Sequence, residues 1–232
     1  MITQLSVTPR RPGDPQVDNT AVLLIHRAVL VDAARFTVLL TDLAQAGTPI
    51  EPRRATAIRD YLVMLGIELH EHHSCEDDVA WPMIAASAGA VADLAPLTQE
   101  HTALASLIDM VMRVADAFAA DPAAHVQCLA VSLQELSGLL HEHIPGEERH
   151  VFPIISHYVS VPDWETAERE MLAGLSLRHL AWLWPWMERF AGPEELEYVL
   201  ARSGLVSRLL LALTRGGYRR REQLIFGPDA LR

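Results

Sequence analysis

The sequence contains no lysine, so its 19 basic residues are all arginine, and 30 acidic residues outnumber them to give a formal net charge of −11. Nothing in it resembles a basic face for phosphates, which argues against a general nucleic-acid binder. Only two cysteines are present, Cys75 and Cys128, and two are too few for a disulfide-rich secreted scaffold.

Long apolar runs are also missing. Each hydrophobic stretch is interrupted by Arg, His, Glu or Pro well before it reaches the length of a membrane span, and residues 1–19 hold no apolar run of signal-peptide length. We therefore expect a cytoplasmic protein with neither a membrane nor a nucleic acid as partner. The 232 residues, 50% of them hydrophobic, are enough for one large domain or for a compact domain with an extension.

Helical periodicity dominates the chain, and no stretch alternates with period two for long enough to indicate a strand. Four long segments joined by short turns predict an all-α fold, an up-down-up-down antiparallel four-helix bundle. The predicted helices run from about Thr20 to Ala46, from Pro52 towards Ala86, from Asp93–Pro96 to Phe118, and from Asp121-Pro122 through Phe152-Pro153.

The sequence pattern changes beyond Val161, where the His–Glu pairs end and a tryptophan-rich stretch follows. A fifth helix is predicted from Pro162 to Phe190, through Trp182, Trp184 and Trp186, and a sixth from Gly192-Pro193 to about Thr214, followed by a basic tail with Arg219, Arg220 and Arg221. The domain prediction is a flexible leader over residues 1–18, the bundle over 19–160, and a C-terminal helical extension with the basic tail over 161–232.

The 11 histidines are unevenly placed. Two of the four long segments carry a histidine followed four residues later by a glutamate, and these pairs are His72–Glu76 and His143–Glu147. At that spacing a helix puts both side chains on one face, about 6 Å apart along its axis, so each pair can offer an imidazole nitrogen and a carboxylate oxygen to one metal ion. The other two segments present lone histidines, His26 and His101.

The two pairs belong to a longer repeat. Trp81-Pro82 follows Glu76 at the same offset at which Phe152-Pro153 follows Glu147, so the pattern His-x-x-x-Glu-x-x-x-x-aromatic-Pro occurs twice. A bundle with pseudo-two-fold symmetry, in which each half gives one lone histidine and one His–Glu pair, predicts such a repeat.

The second segment offers two rivals to its pair, because His73 stands four residues before Asp77 and five before Asp78. The register of Trp81-Pro82 favours His72–Glu76 and predicts that His70 and His73 face solvent or lie outside the first ring of ligands. The sequence leaves open whether His73, Asp77 or His150 joins the site.

These residues resemble the hemerythrin-like (HHE cation-binding) family, whose domain follows the order His, His-x-x-x-Glu, His, His-x-x-x-Glu. The resemblance covers residues 20–158. It implies two iron ions in an oxo- or hydroxo-bridged centre, with manganese or zinc as alternatives, and a small diatomic or peroxide partner: oxygen, peroxide or nitric oxide. The ligands that it implies are His26, His72, Glu76, His101, His143 and Glu147.

This ligand set leaves room for a small molecule. Four imidazoles and two bridging carboxylates supply roughly eight donors, two octahedral ions need about twelve, and a shared oxygen bridge fills two more. Open positions mark a reactive centre, so a role in sensing, detoxification or iron handling is predicted, without a decision on enzyme activity. The alternatives are a non-catalytic module for zinc or a single iron, and a helical interaction protein; the oligomeric state stays open.

One feature of the fourth helix departs from regular geometry. Pro145-Gly146 lies between His143 and Glu147, and a proline inside a helix removes a backbone hydrogen bond and clashes with the preceding turn. The sequence therefore predicts a kink or bulge in that helix beside the metal site.

Overall fold

The structure, a computed structural model, describes residues 7–228. Within that range the chain forms α-helices, a π-helical segment (Glu76–Ala80) and a 3-10 turn (Gly89–Val91), and it has no strand, so the all-α prediction is confirmed. The α-helices are α1 (Thr20–Ala46), α2 (Pro52–Cys75), α3 (Trp81–Ala88), α4 (Ala95–Ala120), α5 (Pro122–Tyr158), α6 (Val161–Gly174), α7 (Leu177–Phe190) and α8 (Pro193–Phe226).

Prolines and capping residues set where the helices begin and end. α2, α5 and α8 each start with proline, whose missing N–H would have no partner in the first turn. The carboxylate of Asp121 caps α5 by accepting a hydrogen bond from the Ala124 N–H at 3.2 Å. Gly47 ends α1 with a φ of +60°, a conformation that glycine adopts without a steric cost.

Two apolar clusters lie on either side of a polar layer. Along α2 and the segment after it, Leu69 belongs to the first cluster and Ala80 to the second. Along α4 the order is reversed, since Leu97 belongs to the second cluster and Leu104 to the first. Because α1, α2, α4 and α5 all cross the layer, the predicted histidines and glutamates sit between two regions from which water is excluded.

The helices that carry the predicted ligands pack directly on one another: α1 against α5, α5 against α4, and α4 against α2. The C-terminal helices cover this group, with α7 and α8 both contacting α1 and α2, and α6 contacting the π-helical segment. The three tryptophans of α7 are buried in these contacts.

A buried polar network attaches α7 and α8 to α1 and α2. The carboxylate of Asp32 on α1 accepts hydrogen bonds from Tyr61 at 2.6 Å, Trp186 at 2.8 Å and Arg35 at 2.7 Å. The hydroxyl of Tyr218 lies 2.7 Å from that of Tyr61. The network therefore joins four helices at a point about three turns from the start of α1.

The C-terminal helices differ from their prediction in two ways. The predicted fifth helix is two helices, because the chain leaves helical geometry at Leu175 and the hydroxyl of Ser176 starts α7 by accepting from the His179 N–H at 3.2 Å. The sixth helix has a kink at Gly204, where φ is +83°, but it continues beyond Thr214, and it therefore includes Arg219, Arg220 and Arg221, which were predicted to form a tail.

The ends of the chain are only partly covered. The leader predicted over residues 1–18 lies outside the described residues at positions 1–6, as does the extension at positions 229–232. Residues 7–18 are not helical, and the Arg10 N–H donates to the Tyr158 carbonyl at 3.1 Å. Across the described part of the chain, no helix combines the length and apolarity needed to cross a bilayer.

The irregularity expected near the centre occurs on a different helix. α5 stays α-helical through Pro145 and Gly146, whereas the helix after His72 widens into the π-helical segment, which begins at Glu76 itself. A π-helical turn inserts one extra residue, and such turns are frequent at functional sites.

Candidate metal centre

The six predicted ligands come together from α1, α2 with its π-helical segment, α4 and α5, and a seventh residue joins them. They form two adjacent groups whose nitrogen and oxygen atoms lie within 4.8 Å of one another inside each group. The three-histidine group is His73, His101 and His143; the mixed group is His26, His72, Glu76 and Glu147.

The three-histidine group is closely packed. The rings of His73 and His101 stack with centroids 4.3 Å apart, and the His143 ring lies edge-on to both, at 5.5 Å and 5.0 Å. All three side chains are buried. Three imidazoles held this closely from three different helices would repel one another if protonated, so this group suits neutral rings that share a cation.

The mixed group brings two further imidazoles beside two carboxylates. The Nε2 atoms of His26 and His72 are 3.1 Å apart, and His72 Nε2 lies 3.2 Å from an oxygen of Glu76. Glu147 approaches from α5, with one oxygen 3.9 Å from His26 Nε2.

Each glutamate faces both groups. Glu76 places Oε1 by His72 at 3.2 Å and Oε2 by His101 at 3.5 Å. Glu147 places Oε1 by His26 at 3.9 Å and Oε2 by His143 at 3.6 Å. Two carboxylates that each present one oxygen to either group have the arrangement needed to bridge two metal ions.

Three of the histidines are oriented by a second carboxylate behind the ring. Each hydrogen-bonds through Nδ1, which turns Nε2 towards the centre and fixes the tautomer, as is typical of metal-bound histidines. The pairs are His26 with Glu148 at 2.8 Å, His101 with Asp77 at 3.0 Å, and His143 with Glu100 at 2.7 Å.

The buried atoms that face the centre fit a bound cation. Within residues 7–228, several of them have no hydrogen-bond partner, although a buried polar atom normally finds one. They are His73 Nδ1, His101 Nε2, His143 Nε2, Glu76 Oε2 and Glu147 Oε2. Nitrogen lone pairs and carboxylate oxygens left without a donor are the atoms that a metal ion would satisfy.

The electrostatics agree with this donor set. Burial, together with the neighbouring histidines, lowers the pKa of His72 well below its ordinary value and that of His73 to about 2, so both rings are neutral and able to ligate. Burial and the nearby Glu147 raise the pKa of Glu76 well above its usual range. A bound cation would reverse that effect by favouring the carboxylate.

The prediction that His73 faces solvent was wrong, because its side chain is buried against His101 and His143, where it could serve as a ligand. The sequence did contain a signal for this position. His73 precedes Glu76 by three residues and His72 precedes it by four, and both spacings put a side chain on the helix face of Glu76. Of the other open candidates, Asp77 stands behind His101, and His150 is exposed and bonds to the Asp93 carbonyl at 3.0 Å.

A model of the hemerythrin HHE cation-binding domain matches residues 21–155, which is more than half of the chain. The chain belongs to this family. All seven residues of the two groups fall inside the matched range, so the hemerythrin-family core and the candidate centre coincide. Comparisons with curated proteins and with solved structures return no match.

Proposed function

We propose that this hemerythrin-family protein holds two iron ions, one at each group of the centre, and that it binds or reacts with oxygen, peroxide or nitric oxide. The observation that carries the proposal is the placement of Glu76 and Glu147, each with one oxygen towards the three-histidine group and one towards the mixed group. The role would be sensing, detoxification or iron handling.

The bundle that would hold the ions consists of α1, α2 with its π-helical segment, α4 and α5, in the up-down-up-down order. The reversal of the two apolar clusters between α2 and α4 supports alternating directions. Each helix then gives its ligands at the same level, which is how metal sites are built inside helical bundles.

The donor chemistry suits iron, and manganese and zinc use similar ligands. Imidazole with carboxylate suits these metals, whereas calcium and magnesium prefer all-oxygen sites. Bound iron would supply reversible ligand binding and electron transfer. The protein's part is to keep the imidazoles neutral, to orient three of them through Glu148, Asp77 and Glu100, and to exclude bulk water with the two apolar clusters.

The two groups differ in a way that indicates where a small molecule would enter. The three-histidine group has one imidazole more than the mixed group, so the mixed group would leave more coordination positions open. An apolar cavity borders His72, Glu76 and Glu147 of the mixed group. Oxygen and nitric oxide are apolar molecules and would enter such a cavity more readily than water or an ion.

Iron content and the optical spectrum of the purified protein test this function. We expect about two irons per chain, near-ultraviolet absorption from the ferric pair, and a spectral change on adding peroxide or, after reduction, nitric oxide. A colourless protein that holds zinc, or one iron or none per chain after anaerobic loading with ferrous iron, would overturn the proposal in favour of a non-catalytic metal-binding module.

A further inference from the structure

The cavity beside the mixed group is much larger than oxygen, peroxide or nitric oxide requires. Its volume is about 380 Å³, and it lies between the matched helices and the C-terminal helices α6, α7 and α8. A cavity of about 150 Å³ is enough to hold benzene, so this one has room for a molecule of roughly two to three rings. The three helices that close it lie beyond the part of the chain that matches the family.

The wall of the cavity is mostly apolar and contains five aromatic residues, one of which is Tyr198 of α8. Phe152 and Trp81 come from the ligand-bearing helices and their continuation, while Trp164 and Trp184 come from α6 and α7. Aliphatic residues, including Leu183 and Val199, fill the spaces between them. Pockets of this size lined by aromatic and aliphatic groups are typical of sites for apolar organic molecules.

The charges around the cavity disfavour an anion. Arg169 and Arg202 border it, but the guanidinium of Arg202 is already paired with two glutamates of the same wall, at 3.2 Å and 2.9 Å. Glu68 and Glu71 add further carboxylates to the lining. A carboxylate or phosphate ligand would meet this excess of negative charge, so the chemistry fits an uncharged molecule.

Two residues of the wall carry a polar group that has no partner within residues 7–228. The indole N–H groups of Trp81 and Trp184 are buried, and neither finds an acceptor among the residues that the structure describes. A buried donor without an acceptor is costly, and a ligand oxygen would remove that cost. Both residues line the cavity, and an occupant with a hydrogen-bond acceptor, such as a carbonyl or an ether oxygen, would satisfy either N–H if the indole ring turned it towards the cavity.

We propose that this cavity is a binding site for an uncharged, mainly apolar organic molecule of two to three rings with an oxygen acceptor. Binding itself does not require the metal ions. The position of the molecule beside the mixed group, from which it could act as a substrate or block access to the centre, rests on the function proposed above.

Fluorescence titration of the full chain with 6-propionyl-2-(dimethylamino)naphthalene tests the site, because this probe is uncharged, has two rings and a ketone, and changes its emission in apolar surroundings. We expect saturable binding of one probe per chain, with and without iron. The carboxylate with the same ring system should bind at least tenfold more weakly. Equal or tighter binding of the carboxylate, or the absence of saturable binding, would overturn the proposal.

Two variants that fill the cavity locate the probe. Val199→Trp from α8 and Leu172→Trp from α6 should each weaken binding at least tenfold, whereas Val38→Trp on the exposed face of α1 should not change it. Circular dichroism establishes that each variant is folded before it is titrated. Undiminished binding in both folded cavity variants, or loss of binding in Leu209→Glu on the exposed face of α8, would place the probe on the surface and contradict the proposal.

The indole donor has a close control in the same helix. Trp182 and Trp184 are both buried on α7, and neither indole N–H has a partner among residues 7–228, but only Trp184 lines the cavity. Trp184→Phe should weaken binding of the ketone probe about 3- to 10-fold, as expected for one lost hydrogen bond, and Trp182→Phe should leave it unchanged. Equal effects of the two variants on probe binding would contradict the proposed hydrogen bond between Trp184 and an acceptor of the ligand.

Discussion

Two buried polar regions of this protein contrast in how their atoms are satisfied. In the network around Asp32, the carboxylate accepts from Arg35, Tyr61 and Trp186, and the guanidinium of Arg35 also reaches Glu222 at 2.7 Å. In the centre formed by the three-histidine group and the mixed group, five nitrogen or oxygen atoms face one another without a hydrogen-bond partner inside residues 7–228.

The contrast separates a structural role from a binding role. Burying a charged or polar group is costly, and the Asp32 network offsets part of that cost with its own donors while it ties α7 and α8 to α1 and α2. The atoms of the centre are buried without such partners, so their burial cost is not offset within the protein. A bound cation would supply the missing partner. The predictions below exploit this difference, beginning with the largest expected effect.

Removing a bridging carboxylate should have the largest effect. Glu76→Ala deletes an oxygen from each group at once, so we expect the loss of nearly all bound iron. Asp77→Ala removes only the partner behind His101 and should weaken iron binding about 10- to 100-fold. Metal analysis after desalting compares the two variants; if Asp77→Ala lost more iron than Glu76→Ala, the assignment of the bridge would be wrong.

Removing His73 tests the ligand that the sequence had placed outside the centre. His73→Ala should lower the iron content to about one per chain, because only the three-histidine group loses a donor. The control is His70→Ala, since His70 is nearly exposed and pairs with Asp109 at 2.9 Å at the surface. Equal iron content in the two variants would show that His73 is not a ligand and only packs against its neighbours.

Breaking the Asp32 network should affect stability and not metal content. Asp32→Ala leaves the donors of Arg35, Tyr61 and Trp186 buried without their acceptor, so the free energy of unfolding should fall by about 3–5 kcal/mol. Asp42→Ala, at an exposed position of the same helix, should change it by less than about 0.5 kcal/mol. Urea denaturation measures the free energy of unfolding of both variants. Loss of iron from folded Asp32→Ala would contradict the separation of the Asp32 network from the metal centre.

The network should also leave a signature in the dependence of stability on pH. Burial raises the pKa of Asp32 from 3.8 to about 6, despite the opposing effects of Arg35, Tyr61 and Trp186. Between these values the folded protein holds a proton that the unfolded chain has lost, so the contribution of Asp32 to stability is largest below about pH 4 and falls as the pH rises to about 6.

The size of this effect follows from the rise in the pKa of Asp32 from 3.8 to about 6. This rise corresponds to a loss of about 3 kcal/mol of stability between pH 4 and pH 7. Asp32→Asn cannot titrate there and serves as the control, because all other groups are shared. We measure the free energy of unfolding of the wild type and of Asp32→Asn across this pH range. Relative to the variant, the wild type should lose stability as the pH rises. A difference that is flat or of opposite sign would contradict the raised pKa.

The sequence predicted the helices and most of the centre because both depend on local spacing. Helical periodicity and proline positions located α1, α4 and the start of α5 to within a few residues. The i, i+4 spacing of His72–Glu76 and His143–Glu147 put each pair on one buried face, as the structure has them.

What the sequence did not reveal depends on contacts between distant segments. The burial of His73 is decided by His101 and His143 on other helices, and the Asp32 network by tyrosines on α2 and α8. The π-helical turn at Glu76 contains no proline or glycine, although Pro82 just after it cannot donate to the Asp78 carbonyl within the turn, whereas Pro145-Gly146 suggested an irregularity that α5 accommodates. The break at Leu175 was missed because a serine cap resembles a helix interior when the periodicity continues beyond it.

Anomalous X-ray diffraction from crystals of the iron-loaded protein, at the iron absorption edge, tests the central claim most directly. The account predicts two peaks per chain, one bonded to His73, His101 and His143 and the other to His26 and His72, with Glu76 and Glu147 reaching both. A single peak, or peaks that lie away from these side chains, would contradict it.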